Sequence, residues 1–309
     1  MNVPTVPPAR DSSRRILPYL ALAVVWVVWG STYLAMRVVV GEMPPLAAAG
    51  VRFAGAGLVM ALVARIVDRD RERPGRRQVV DYAFIGVLLL AVGNGLVMWA
   101  ERTITSGIAA LIVATVSVWF VLLDGLRPGG QPWTVRVWLG TIIGLAGVAL
   151  VARPEGGVAA GHWLAVLALQ AACLAWTVGS LYAQSVRKRL PLASAAAIEM
   201  LAAAAVLLLA SPLFGEDVSS LASASPRAWA GVAYLTVFGS LVGFTAFAYC
   251  LNELPASTVS TYAYVNPVVA VALGALVLGE PLTPGLLTGG ALILVAVILT
   301  TLRRSRTSA

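Results

Sequence analysis

The sequence predicts an all-α membrane protein with ten transmembrane helices, arranged as a 5+5 inverted repeat with both termini in the cytoplasm. Three observations carry this prediction: the composition, the uneven distribution of basic residues, and a weak internal repeat. The chain has 309 residues, of which 59% are hydrophobic and 12% charged, and its mean hydropathy is +0.87. A soluble domain carries roughly a quarter charged residues, so this chain lacks the polar surface that a soluble fold needs.

Ten apolar stretches, each bounded by charge, proline or glycine, have about the 20 residues that a spanning helix requires. Eight of the ten contain no charged residue, whereas Arg52 interrupts the second and Glu199 the seventh. No signal-peptide cleavage site follows the first stretch, so we expect it to remain in the mature protein. The predicted spans are 17–36, 46–64, 82–100, 104–123, 137–152, 163–183, 191–211, 228–250, 257–278 and 283–302.

These spans divide the chain into four parts. Residues 1–16 and 303–309 are predicted to be cytoplasmic tails, and 17–152 and 163–302 are predicted to be two five-helix repeats. Within the fifth span, Gly140, Gly144 and Gly147 form a seam of small residues. Such seams let membrane helices approach closely, and this one suits either internal packing or the face of a homodimer.

Basic residues are concentrated in alternate loops, and this asymmetry sets the orientation. With the N-terminus inside, the inner segments hold 17 of the 22 Lys and Arg residues and the outer segments hold four. A missed helix would exchange the two sides downstream of the error, so the asymmetry supports a count of ten. The net charge of +8 is then a topological signal, and we expect no nucleic-acid partner.

The chain also repeats itself at a nearly constant offset. Because five spans per repeat is an odd number, the second repeat enters the membrane from the opposite side. Inverted repeats of this kind build many secondary transporters, whose substrate sites lie near the membrane midplane. The matches are Gly30, Ser31 and Tyr33 with Gly179, Ser180 and Tyr182 (offset 149), Gly93 with Gly243 (150), and Pro132, Thr134 and Gly140 with Pro281, Thr283 and Gly289 (149).

Several short motifs resemble the EamA family of the drug/metabolite transporter superfamily, and in particular a ten-helix metabolite-exporter branch. The resemblance covers about residues 17–302 and implies a cavity lined by helices one, three, four, six, eight and nine. The motifs are Trp29-Gly-Ser-Thr-Tyr33, Pro44-Pro45, Arg52-Phe53, Gly93-Asn94-Gly95-Leu-Val-Met-Trp99-Ala-Glu101, Ser106-Gly107, Ala109-Ala110 and Gly279-Glu280-Pro281-Leu-Thr283. One departure is that the family's proline occurs at Asn266-Pro267, but its repeat mate Val116-Ser117 has none.

Enzyme chemistry finds no support in the sequence. A phosphate-binding loop needs Gly-Lys-Ser/Thr, and Lys188 stands between two arginines. His162 is the sole histidine, and Cys173 and Cys250 lie in apolar stretches without metal-ligand spacing. We therefore expect no enzyme activity, no cofactor and no metal. A lipid-modifying membrane enzyme and a channel-like facilitator are the alternatives, although neither catalytic spacing nor charge rings are visible.

Arg52 and Glu199 are the most informative residues, because an ionised side chain within a span is costly and faces protein or water. Their offset of 147 puts them at corresponding repeat positions, Arg52 toward the outer half and Glu199 toward the inner half. The functional interpretation is that Arg52 holds an anionic group and Glu199 a proton or a cation. The structural alternative is that Arg52 extends to the interface and Glu199 pairs with a loop arginine.

Polar and aromatic residues at helical spacing indicate a wet pathway, with interhelical hydrogen bonding and core packing as the alternatives. In the third span Asn94, Met98 and Glu101 share such a face. The face of the sixth span consists of Gln170, Cys173, Thr177, Ser180 and Gln184. The predicted pathway residues are Ser31, Tyr33, Arg52, Asn94, Trp99, Trp119, Gln170, Thr177, Ser180, Glu199, Tyr262 and Asn266.

The combined prediction is a secondary transporter of the bacterial-type inner membrane that moves a small organic solute, such as an amino acid, metabolite or drug-like molecule, outward by alternating access. Its predicted partners are membrane lipids and the solute, and a homodimer is left open. Small multidrug relatives carry a proton-exchanging carboxylate in the first span, but 17–36 holds none. If protons drive transport, Glu199 is the first candidate; facilitation or exchange is equally allowed.

Overall fold

The computed structural model describes residues 12–69, 72–128, 130, 132–153, 160–186, 188–254, 256–259 and 261–301. These residues form helices and loops without a β-strand, and their main helices follow the order of the predicted spans. The helices are α1 Ser12–Val40, α2 Pro45–Val67, α3 Arg76–Ala100, α4 Ser106–Asp124, α5 Val135–Val151, α6 Ala160–Ser185, α7 Leu192–Leu213, α8 Pro226–Tyr234 continuing through Leu235–Val242 and Gly243–Glu253, α9 Tyr262–Leu278 and α10 Pro284–Thr301.

Seven of these helices, α1 to α4 and α6 to α8, are long and apolar enough to cross a membrane, and α5, α9 and α10 are shorter apolar helices. Their outward surfaces are apolar: Leu62, Leu145 and Leu276 are all exposed. Since lipid cannot satisfy backbone groups, helices of this kind suit a bilayer. The predicted tail 1–16 is described only from Ser12, where α1 begins, and 303–309 lies outside the described residues.

Corresponding helices of the two halves pack against each other in opposite directions. In the α2–α7 pair, a methyl group placed on Gly50 would lie 2.7 Å from Leu208, and one on Gly57 would lie 2.8 Å from Leu201. The contacts run forward along α2 and backward along α7, so the pair is antiparallel. Glycine provides the close approach here, as small residues do at membrane helix interfaces.

The α5–α10 pair repeats this arrangement. Gly140 faces Thr300, Gly144 faces Ala296, and Gly147 faces Gly289. A methyl group on Gly147 would lie 2.7 Å from the Gly289 carbonyl oxygen. The glycine seam of the fifth span therefore serves internal packing between the two halves, which was one of its two predicted uses.

Two carboxylates tie the α2 and α7 ends together reciprocally. Asp68, just after α2, accepts hydrogen bonds from Ser194 N (3.2 Å) and Oγ (2.6 Å) at the start of α7. Glu216, just after α7, accepts from the backbone N–H groups of Leu46 and Ala47 (3.0 Å each) at the start of α2. Carboxylates satisfy the unpaired N–H groups of a helix start and favour its positive dipole end.

Glu42 and Glu280 act in the same way at two further helix starts. Glu42 accepts from Ser225 N (3.0 Å) and Oγ (2.9 Å) before α8. Glu280 accepts from Ser106 N and Oγ (2.9 Å each) at the start of α4. The loops holding Glu42, Glu216 and Glu280 thus meet at one end of the bundle, which we call the α1–α2 end. Asp68 and Ser194 lie at the other, the α2–α3 end.

Two helices contain π-helical segments at corresponding positions. In α3 the segment is Val87–Asn94, and in α8 it is Leu235–Val242. The offset of 148 matches the internal repeat, and Gly93 and Gly243 mark the C-terminal edge of each segment. Such segments widen a helix locally and are frequent at functional sites.

The fourth helix breaks without a proline. Its two parts, Ser106–Ala114 and Val116–Asp124, meet at Thr115, whose Oγ1 donates to the Ile112 carbonyl at 2.7 Å. This hydroxyl competes with the helical hydrogen bond of that carbonyl. In α9, Pro267 lies inside the helix.

Candidate functional site

A cavity lies between the two halves, midway along the bundle, and encloses about 930 Å³ of space free of protein atoms, part of it open to the outside. Its lining is contributed by α1, α2, α3, α4, α6, α7, α8 and α9, whereas α5 and α10 contribute nothing. These are the six helices that the family resemblance implies, together with α2 and α7.

Arg52 supplies the cation of this cavity. The sequence places it in the second turn of α2, and the structure leaves it 4% exposed. Its Nε donates to Ser240 Oγ at 3.0 Å, and its Cζ lies 4.7 Å from the centre of the Phe53 ring. Its Nη1 has no hydrogen-bond partner among the described residues. A buried guanidinium with a free donor fits a ligand carboxylate or phosphate, because arginine binds such groups through paired N–H donors.

Two asparagines face the cavity with Arg52. Asn266, in α9, is buried, and its Oδ1 lacks a partner in the described part of the chain. Asn94 ends the π-helical segment of α3, and its Nδ2 donates to the Leu89 carbonyl at 3.4 Å. The cavity therefore presents an unsatisfied donor on Arg52 and an unsatisfied acceptor on Asn266, and an unpaired buried polar group is costly unless something binds it.

An aromatic cluster forms one wall. Trp29 of α1 and Tyr262 of α9 both line the cavity, and Phe247 of α8 packs behind them. The Trp29 ring centre lies 5.0 Å from that of Phe247 and 5.4 Å from that of Tyr262. Tilted and edge-to-face rings at these distances attract each other. Trp29 Nε1 donates to the Gly239 carbonyl at 3.3 Å, inside the second π-helical segment.

Of the predicted pathway residues, Tyr33, Arg52, Asn94, Tyr262 and Asn266 line the cavity. The sixth-span face contributes only Cys173. Gln170 instead accepts from Trp119 Nε1 at 2.7 Å and donates to Thr115 Oγ1 at 3.3 Å. Thr177 Oγ1 donates to the Cys173 carbonyl at 2.8 Å. This face thus mainly makes hydrogen bonds between and within helices, which was the alternative interpretation.

The remaining predicted residues lie away from the cavity lining. Ser31 Oγ is 2.7 Å from Tyr234 Oη of α8, so it joins two helices. Trp99 packs against the hydrophobic core, and Ser180 is half-buried in α6. Glu199 is 7% exposed and its backbone touches α3 at Gly86, but the cavity wall is formed by its neighbour Met200.

The structure also brings in residues that the sequence interpretation did not single out. Ser240 holds Arg52, Trp176 covers Gly93, and Met200 closes the wall from α7. The one feature of the sequence that pointed to this region was the repeat match of Gly93 with Gly243, which lie at the ends of the two π-helical segments. No spacing rule on α8 points to Ser240, because its role depends on where α2 packs.

A second opening lies at the α1–α2 end, lined mainly by Arg37 of α1, Glu42, Thr105, Arg227 and the loop before α10. We call this opening the vestibule. Its charged lining contrasts with the mostly apolar cavity. Among the described residues no group of three His, Cys, Asp or Glu side chains could hold a metal ion.

Comparison with known proteins places this geometry in a family. The model of the EamA-like transporter family matches the chain twice, over residues 16–153 and 163–302. The chain belongs to the EamA-like transporter family. The two matches follow the two halves whose corresponding helices pack together, so the fold is the two-repeat fold of this family of membrane transporters.

Relatives agree with this assignment. The chain is 40% identical over 292 residues to the "Uncharacterized inner membrane transporter YedA" of Escherichia coli (strain K12), covering 94% of this chain and 92% of that protein. It is 26% identical to a "Probable terminal-alkyne amino-acid exporter" of Streptantibioticus cattleyicolor, covering 90% and 91%. A solved structure described as "Crystal structure of protein" shares the fold, with a TM-score of 0.64 at 22% identity, covering 97% and 100%.

The family, the relatives and the apolar helices together identify a multi-pass transporter of the inner membrane. Its lipid-facing surface is the apolar exterior already described. The cavity between the two halves is the place where a solute can be held out of lipid.

Proposed function

We propose that this EamA-like protein is a secondary transporter that exports a small organic solute carrying a carboxylate, of the amino-acid class, by alternating access. The observation that carries the proposal is the cavity between the halves, with its unpaired Arg52 Nη1 and Asn266 Oδ1. Arg52 binds the solute carboxylate, Asn266 accepts a hydrogen bond from its amino group, and the Trp29–Tyr262 wall packs against its apolar part. The amino-acid exporter among the relatives supports this class.

The orientation of the halves supports alternating access. A two-fold axis that relates antiparallel α2 to α7, and antiparallel α5 to α10, lies perpendicular to the helices and therefore in the membrane plane. This symmetry supports the proposed inverted repeat of ten spans, in which the α1–α2 end is outside and both termini are in the cytoplasm, as the basic residues predict. Two halves of opposite orientation can open the same cavity to either side in turn.

The test is counterflow in vesicles that contain the purified protein and are preloaded with an unlabelled amino acid. Wild-type protein should accumulate labelled substrate transiently. Arg52→Gln should lower uptake at least tenfold, since the carboxylate loses its charged partner, and Arg52→Lys should recover only part of it because lysine lacks the paired donors. Arg65→Gln, an exposed change in the same helix, should transport normally.

Counterflow also separates the proposal from its rivals. A channel would give flux without counterflow, and a lipid-modifying enzyme would give neither. Full transport by Arg52→Gln, in protein that inserts normally, would refute the carboxylate site while leaving the carrier mechanism in place.

A further inference from the structure

Glu101, at the end of α3, is the most deeply buried carboxylate among the described residues. It is 0% exposed, and neither Oε1 nor Oε2 has a hydrogen-bond partner among the residues that the structure describes. The other acids at this end, Glu42, Glu216 and Glu280, each cap a helix start. A buried carboxylate without partners is costly when ionised, and no capping role explains this one.

Glu101 lies between the central cavity and the vestibule. On one side, Tyr33, which lines the cavity, is within electrostatic range of it. On the other, Arg37 and Glu280 both line the vestibule and also act on it electrostatically. Arg37 Nη1 donates to the Glu101 backbone carbonyl and so holds α1 against the end of α3. Glu280, in the α9–α10 loop, caps the start of α4 on the vestibule side of Glu101.

The charged and titratable groups that act on the Glu101 carboxyl come from two elements: Tyr33 and Arg37 belong to α1, and Glu280 belongs to the α9–α10 loop. Burial raises the pKa of Glu101 well above its usual range, the Glu280 carboxylate raises it further, and Arg37 lowers it in part. The Glu280 carboxylate accepts hydrogen bonds from the backbone N–H groups of Ser106 and Gly107. It therefore repels an ionised Glu101 and makes no hydrogen bond with it.

We propose that Glu101 is a proton-binding site that couples closure of the outer end to proton uptake, so that the cavity is sealed from the vestibule only while Glu101 is neutral. This inference rests on the proposed alternating access. When the outer end opens, water reaches the carboxyl and the proton leaves to the outer solution; reclosure takes one proton up again. The ligand of the site is a proton, and its binding ties the transport cycle to external pH.

The sign follows from linkage. The closed form binds the proton more tightly than the open form, so closure is favoured at low external pH and is lost as pH rises toward the raised pKa of the closed form. Between the two pKa values, one linked proton changes the ratio of open to closed protein by about tenfold per pH unit. In Glu101→Gln the side chain is always neutral, and this dependence should disappear.

The native Cys173 gives a direct readout, because it lines the cavity and is buried. A membrane-impermeant thiol reagent applied from outside reaches it only through an open outer end. We would measure labelling between external pH 5 and 8.5, with Cys173→Ala as background for the other cysteine, Cys250. Ionisation of the Cys173 thiol affects wild type and Glu101→Gln alike. The informative quantity is therefore the labelling rate of wild type divided by that of Glu101→Gln, and this ratio should rise with pH.

Matched controls keep the test decisive. Asp217→Asn makes the same kind of change at an exposed acid of this end, which Ser219 keeps ionised by lowering its pKa, and should retain the wild-type dependence. Glu101→Asp keeps an ionisable carboxyl group and should retain the pH dependence as well. It is the variant to compare with wild type if Glu101→Gln fails to insert. A flat ratio, or a dependence on sodium at fixed pH, would overturn the proton site. Absence of counterflow with pH-dependent labelling intact would overturn the transport function alone.

Discussion

At the residue scale, charged side chains in this protein divide into two kinds. Glu42, Asp68, Glu216 and Glu280 are satisfied by helix starts in the opposite half, whereas Arg52 keeps an unpaired donor in the cavity. For Glu42, the bonds from Ser225 lower the carboxyl pKa, so this cap persists as pH falls below the ordinary range of a glutamate. The four capping carboxylates fasten the fold, and the unpaired donor of Arg52 is free to bind a ligand.

Removing one fastening carboxylate should destabilise the protein. Glu216→Ala leaves the N–H groups of Leu46 and Ala47 and the Ser211 hydroxyl without their acceptor. We expect a loss of about 1–2 kcal/mol, typical of a helix cap, measured as a lower midpoint of thermal unfolding in detergent. The adjacent Asp217→Ala, which loses only exposed bonds to Ser219, should shift the midpoint less. Equal shifts would mean that Glu216 does not fasten the two halves.

At the element scale, helix pairs formed by small residues hold the two halves together, while irregular helices form the cavity. The α5–α10 pair lines no part of the cavity and packs glycine against glycine at Gly147 and Gly289. The π-helical segments of α3 and α8 both face the cavity and sit at corresponding positions. The α5–α10 pair thus joins the two halves away from the cavity, and the π-helical segments contribute to the cavity wall.

This division predicts a steric effect at the α5–α10 contact. In Gly147→Ala the new methyl group would lie 2.7 Å from a backbone oxygen of Gly289, which cannot move aside without separating the helices. We expect a loss of roughly 1–3 kcal/mol, as overpacking costs, seen in the same unfolding assay. Gly161→Ala, where nothing lies within 4 Å, should change stability by less than about 1 kcal/mol. A neutral Gly147→Ala would contradict the close packing.

At the scale of the whole molecule, the two halves are alike in helix order, capping and π-helical segments but differ at the centre. Arg52 and Glu199 each stand seven residues into their helix, yet only Arg52 lines the cavity. The halves therefore have the symmetry that the proposed alternating access needs, while one half supplies the charge that we propose binds the solute.

The orientation of the molecule can be tested by labelling single cysteines in intact cells. Arg102 and Arg69 are exposed at the α1–α2 and α2–α3 ends. An impermeant maleimide should label Arg102→Cys from outside and Arg69→Cys only after the cells are permeabilised, because basic loops stay in the cytoplasm. Labelling of both, or of Arg69→Cys alone, would contradict the proposed topology. Both variants are made in a Cys173→Ala, Cys250→Ala background, because the native free cysteines would otherwise add to the labelling.

The sequence by itself determined the class of the protein, the order of its apolar helices and the existence of two halves, because hydropathy, loop charge and repeat offset can be read without knowing how the chain packs. It also pointed to Arg52, since a charge within an apolar span stands out without any knowledge of packing.

Only the tertiary structure decided which polar residues meet. Trp119 donates to Gln170, Ser240 holds Arg52, and Glu101 is buried near residues that line the cavity and the vestibule. Helical spacing shows which side chains share a face, but the neighbour of that face depends on how distant helices pack. A polar side chain links two helices where it meets a hydrogen-bond partner on the other helix, and it forms part of a site where it borders a cavity.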